Sequence, residues 1–147
     1  MRAFLYSLLA AGMVVHSTRI KFMNHCGHQV HVMKTMKGHG SEEQAMLEPG
    51  EEEMTEEMNE GEMTFKDGDD GENMAEFNIN AWNSMDLYNL NVVGGYTTPM
   101  MVSTNGVGGY TANCRDRRCL GAYLYPNDSL KTHGIATGGM FTLTFCP

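Results

Sequence analysis

From Ala75 to Met101 the chain reads AEFNINAWNSMDLYNLNVVGGYTTPMM, and this run constrains the fold more tightly than any other. Ala75 to Asn80 is short and β-compatible, Trp82 to Ser84 carries turn residues, and Met85 to Val93 is rich in Leu, Tyr and Val. The pattern predicts a β-hairpin. Gly94-Gly95 then breaks the second strand, and Pro99 ends pairing because it has no backbone donor. A two-residue loop at Trp82-Asn83 or at Asn83-Ser84 puts Glu76 opposite Asn89 or Asn91, an amide neighbour in either register. Asp86 lies nearer the turn, on the partner strand.

The flanking sequence predicts more β-structure. Seventeen glycines, four prolines and few helix-period segments in 147 residues describe one all-β domain with many turns, without repeats or a second domain. A net charge of -8 disfavours non-specific nucleic-acid binding. Met1-Arg2 opens a short apolar run, AFLYSLLAAGMVV, too brief to span a bilayer as a mature helix, and small Val15 and Ser17 suit a cleavage site. The expectation is a secretory signal peptide over residues 1–17 and a mature domain over 18–147, extracellular, monomeric and free of membrane. Four cysteines in a secreted chain then predict two disulfides, with three connectivities open.

Ile20 and Phe22, then Val30 and Val32, alternate with polar residues as two half-buried strands would, with Cys26-Gly27 as the turn between them. His25, His28, His31 and His39 raise the question of a metal, but residues three apart in a strand face opposite sides, so no metal site and no cofactor are expected. Between Glu42 and Glu76 lie 15 of the 18 acidic residues, with Lys66 as the only balancing cation. Apolar residues from Met46 to Phe65 thread that segment and favour short exposed strands, although Met54 and Met58 also allow one amphipathic helical turn. Pro126 to Gly139 reads as a polar loop before the last strand.

Several of these stretches resemble the thaumatin-like (osmotin-type) family. AEFNIN, DLYNLN and VGGYTTPM match that family's AEFxLN, DxYDxS and GFNxPM in order and near-equal spacing, and the FTLTFCP ending is similar to its YxVxFCP. LEPGEE resembles its LxPGxS turn, GEMTFKDG falls where it has GRIWARTGC, and NCRDRRC resembles its GCRGVRC. The resemblance implies an antiparallel β-sandwich, or flattened barrel, in a small form lacking the cysteine-rich side domain. It pairs Cys26, placed early in the first mature strand, with Cys146, and leaves Cys114 for Cys119.

The same resemblance implies a function. Many thaumatin-like proteins have an acidic cleft of one arginine, one glutamate and three aspartates, and some bind or slowly cleave β-1,3-glucan. Carried over by position, the arginine falls on Lys66, the glutamate on Glu76, the first aspartate on Asp86 and the second on Asn89, while the third has no counterpart. Hydrolysis needs two carboxylates, one of them protonated, and Asn89 and Lys66 remove half of the surroundings that would tune Glu76 and Asp86. Sugar binding asks for less, and Trp82, Tyr88 and Tyr96 offer stacking faces beside Lys66, Glu76, Asp86 and Asn89. The expected protein is therefore a secreted, non-catalytic binder of glucan or cell-wall carbohydrate, of defence type. The alternatives are a weak endo-β-1,3-glucanase using Glu76 and Asp86, and an acidic surface protein with no ligand.

Overall fold

A computed structural model describes residues 16–147. The expected signal peptide falls almost wholly on residues 1–15, outside the described residues. The domain is two packed β-layers. The smaller sheet has the order β4-β1-β12-β8-β9, built from β1 (Arg19–Asn24), β4 (Glu52–Met54), β8 (Met100–Thr104), β9 (Ala112–Cys114) and β12 (Met140–Phe145). The larger runs β10-β7-β6-β5-β2-β3, from β2 (Val30–Met36), β3 (Ser41–Leu47), β5 (Gly61–Asp67), β6 (Met74–Ile79), β7 (Met85–Asn91) and β10 (Ala122–Tyr123). A further strand, β11 (His133–Ala136), also pairs with β7. The sandwich is mixed where the resemblance implied an antiparallel one, because β1 with β12 and β10 with β7 run parallel. The two layers stay open, without closing into a barrel.

Alternation explains the layers. In β6 the burial alternates residue by residue, so Ala75, Phe77 and Ile79 face inward while Glu76 and Asn78 face out. The inward faces meet through a line of tilted rings: Phe22 on Phe65 at 4.9 Å, Phe65 on Phe77 at 5.9 Å, Phe77 on Phe141 at 5.2 Å and Phe141 on Tyr88 at 5.0 Å. Such edge and tilted contacts stabilise by about 0.5–1.5 kcal/mol each beyond area burial. Phe22 and Phe141 belong to the smaller sheet and the others to the larger, so the rings join the two layers.

Several local expectations change. Cys26 lies in the bend after β1 rather than within it, and β1 and β2 pass into different sheets. Buried Asn24 organises that crossing: its Oδ1 accepts from the Cys26 N–H at 2.8 Å, and its Nδ2 donates to the carbonyls of His28 and Leu47. Met54 and Met58 form no helical turn, since Met54 ends β4 and Met58 makes an isolated bridge to Thr18. Pro126–Gly139 is not merely a loop, because it contains β11, which pairs Tyr88 with His133. Disulfides join Cys26 to Cys146 and Cys114 to Cys119.

Candidate functional site

The central hairpin has Glu76 opposite Asn89 and Phe77 opposite Tyr88. Its turn is tight: Asn80, Asn83 and Ser84 all adopt positive φ, 52°, 60° and 54°, a region that asparagine tolerates better than most residues. Because neighbours along a strand alternate in direction, Leu87, Asn89 and Asn91 share the outward face with Glu76, while Asp86, Tyr88 and Leu90 point into the sandwich. Glu76 and Asp86 therefore lie on opposite faces of the sheet and do not share a groove.

Asp86 is completely buried. Its carboxylate accepts from the Thr18 hydroxyl at 2.5 Å, the Asn80 N–H at 2.9 Å and the Thr137 hydroxyl at 2.9 Å. Thr18 in turn accepts from the Gly138 N–H. A carboxylate ringed by donors from three separated segments is a structural tie. Tyr88 is equally withdrawn, 1% exposed, with its hydroxyl donating to the Tyr110 carbonyl and accepting from the Tyr110 N–H. Burial pushes its pKa up, and its ring is not free to stack on a ligand.

What does gather on the outward face is a shallow hollow of about 150 Å³ lined by Glu62, Thr64, Glu76, Asn78, Asn89 and Thr132 among others. That is smaller than the ~300–1,000 Å³ of sites that enclose a ligand, and it suits contact with part of a longer molecule. Asn91 donates its amide to Glu76 Oε1. The carboxylate sharing this face is Glu62, held by the Lys37 ammonium at 2.8 Å, a pairing that raises the Lys37 pKa through the hydrogen bond and then the charge. Lys66 is on the same face by alternation and donates to the Asp69 carbonyl. Tyr123, paired with Asn91, is hydrogen-bonded to Thr132 of the lining.

The other sequence-derived candidates lie apart. Trp82 projects from the hairpin turn, 82% exposed. Tyr96 is half-buried in the loop after β7, its pKa raised by burial and then by Asp116, so it stands near the Cys114–Cys119 loop. His31 is engaged by Glu43 and Gln29, while His28 lies in a bend outside β2 with Asp67 3.8 Å away, so the two were never on one strand. No group of three or more His, Cys, Asp or Glu that could hold a metal ion occurs among the described residues. Glu62, Thr64, Asn78 and Thr132 were not singled out from sequence. The signal for the first three was the hairpin register itself, extended by period two to the neighbouring strand.

This architecture and parts of this sequence occur together elsewhere. A thaumatin-like protein of Oryza sativa is 42% identical over 74 residues, covering 50% of this chain and 40% of the rice protein. The solved structure of the thaumatin-like xylanase inhibitor TLXI matches with a TM-score of 0.67 over 87% of this chain and 99% of the inhibitor, at 16% identity. Half of the chain resembles thaumatin-like proteins in sequence, and the domain shares their fold. The thaumatin-like pathogenesis-related protein 2 of Avena sativa is 36% identical over 74 residues, and the protein elicitor MoHrip2 of Magnaporthe oryzae superposes at a TM-score of 0.66 with 15% identity, covering 88% of this chain and 99% of the elicitor. Matching stretches cover 40% to 41% of the length of these curated relatives. No protein-family model matches the chain.

Proposed function

We propose that this is an extracellular, defence-type protein that binds a neutral cell-wall polysaccharide, β-1,3-glucan foremost, without cleaving it. The observation that carries the reading is the outward hollow, where two amides, two hydroxyls and a carboxylate held by Asn91 converge on one rigid sheet. Such groups hydrogen-bond sugar hydroxyls, and a shallow, open shape suits a polymer lying across it. Two disulfides and no free cysteine among the described residues fit an oxidising compartment. Support for the defence reading comes from the thaumatin-like and pathogenesis-related relatives.

A hydrolytic reading must replace Asp86 with Glu62, the carboxylate on the same face as Glu76. A general acid has to carry its proton, yet Glu62 accepts from Lys37 and Glu76 from Asn91, so both are engaged as acceptors. Those contacts support binding without turnover. The test is retention on insoluble β-1,3-glucan with reducing-sugar release measured in the same tube. Retention that Glu76→Gln and Asn89→Ala weaken, with no sugar released, supports the proposal. Sugar release abolished by Glu76→Gln would overturn it in favour of an enzyme, and no retention at all would leave an acidic surface protein without a glucan ligand.

A further inference from the structure

The two lateral edges of the sandwich carry opposite charge. Strands β3 and β4 are the outermost strands of their sheets on one side, and β9 and β10 are outermost on the other. Along the first edge, every ionisable residue from Glu42 to Glu57 is a glutamate. The second edge is joined by the disulfide-closed loop Cys114–Cys119, which exposes Arg115, Arg117 and Arg118. Asp116 shapes that loop, its Oδ1 accepting from the Arg118 N–H at 2.7 Å and its carbonyl from the Cys119 N–H. Lys131 adds a fourth cation by donating to the Leu120 carbonyl. Among the described residues Arg19, Lys21, Lys34 and Lys37 are ion-paired within the fold, whereas the three loop arginines pair with no carboxylate.

Both edges also expose apolar side chains. Leu120 and Leu130 stand out beside the arginines, 79% and 89% exposed. Across the molecule Met46 and Met54 are exposed among the glutamates, and an open hollow of about 550 Å³ is lined by Arg19, Met54, Thr55, Glu56 and Glu57. We propose that the arginine edge of one molecule docks on the glutamate edge of a second copy, giving head-to-tail association. Different patches meet in such a contact, so it propagates instead of closing as a two-fold dimer. The fixed disulfide loop lowers the ordering cost, and guanidinium forks suit carboxylates.

Salt decides whether the net charge of -8 prevents this. Five spacings across the six-stranded path of the larger sheet make the edges about 24 Å apart, against a Debye length of about 10 Å at 0.1 M salt. Each edge then interacts as a local patch. At about 0.01 M the range grows to about 30 Å and whole-molecule repulsion opposes docking, while at about 1 M the edge attraction itself is screened. Association is therefore strongest at intermediate salt.

Sedimentation velocity on the disulfide-intact protein, over a concentration series at these three salts, tests the proposal. Open-ended growth at intermediate salt that recedes at both extremes is expected. Arg117→Ala/Arg118→Ala and Glu53→Gln/Glu56→Gln each abolish growth alone, and an equimolar mixture of the two variants stops at a capped dimer. A monomer at every concentration and salt, a two-fold dimer unaffected by either pair, or a mixture that stays monomeric overturns it. So does a protein that stays monomeric while its arginine edge binds polygalacturonate or anionic vesicles, since the occupant is then not a second copy.

Discussion

Thr18 and Asp86, 68 positions apart, meet where the threonine hydroxyl donates to the buried carboxylate at 2.5 Å. With the Asn80 N–H and the Thr137 hydroxyl on the same carboxylate, this contact joins the start of the domain, the hairpin turn and the entry to β12. Asp86→Ala strands those donors, and an unsatisfied buried donor costs about 1–3 kcal/mol. The expected loss is about 3 kcal/mol or more, read as a lower urea midpoint at unchanged slope. A variant as stable as its parent removes Asp86 from this role.

His133 predicts an acid sensitivity. Its ring stacks on Tyr110 at 4.1 Å, lies 5.7 Å from Tyr88, and buries Nε2 without a partner. Burial, and secondarily Lys131, lowers its pKa from 6.5. The folded chain therefore binds this proton less readily than the unfolded chain. Its contribution is complete above the unfolded value and is lost as pH falls through the depressed folded one. Between about pH 7 and 5, the parent's melting temperature should fall more than that of His133→Phe. Equal falls would reject the assignment.

The two disulfides should differ in weight. Cys26–Cys146 spans 120 positions and Cys114–Cys119 only 5, which on the chain-entropy model corresponds to about 5 and about 2 kcal/mol. Paired Cys→Ser variants compared by urea unfolding test the order. A larger loss from the short bridge would show that strain or local packing, not loop closure, governs their effect.

Trp82 separates binding from stability. It is the chain's single tryptophan and lies almost wholly in solvent, so Trp82→Ala should change stability by less than about 0.5 kcal/mol. If the stacking face contributes to the proposed site, the same variant loses glucan retention. Fluorescence of the parent should shift on adding soluble β-1,3-glucan. Unaltered retention together with an unmoved emission maximum would exclude Trp82 from the site.

The hairpin was legible because strand alternation, turn residues and the resemblance agree from Ala75 to Asn91. Both registers considered for Glu76 capture part of its surroundings: Asn89 is its partner in the ladder, and Asn91 is the amide that reaches its carboxylate. The face of Asp86 was legible too, since 86, 88 and 90 alternate against 87, 89 and 91, but its charge argued for solvent. Its partners come from residues 18, 80 and 137, and no local pattern reports such distant donors. Strand β11 was hidden for a similar reason. His133–Ala136 has one fully buried apolar residue, Ile135, and is a strand because β7 offers it an open ladder.

The parallel pairing of β1 with β12 has a mechanical meaning. A pull applied between Thr18 and Cys146 loads the ladder from Arg19–Met140 to Asn24–Phe145 in shear, so its hydrogen bonds resist together instead of opening one by one. Beyond Asn24 the force reaches Cys26 and passes directly through sulfur to Cys146. Apart from β12, which shares the load through its ladder with β1, the chain between those two cysteines, with the outward hollow and both charged edges, hangs beside the covalent line of tension.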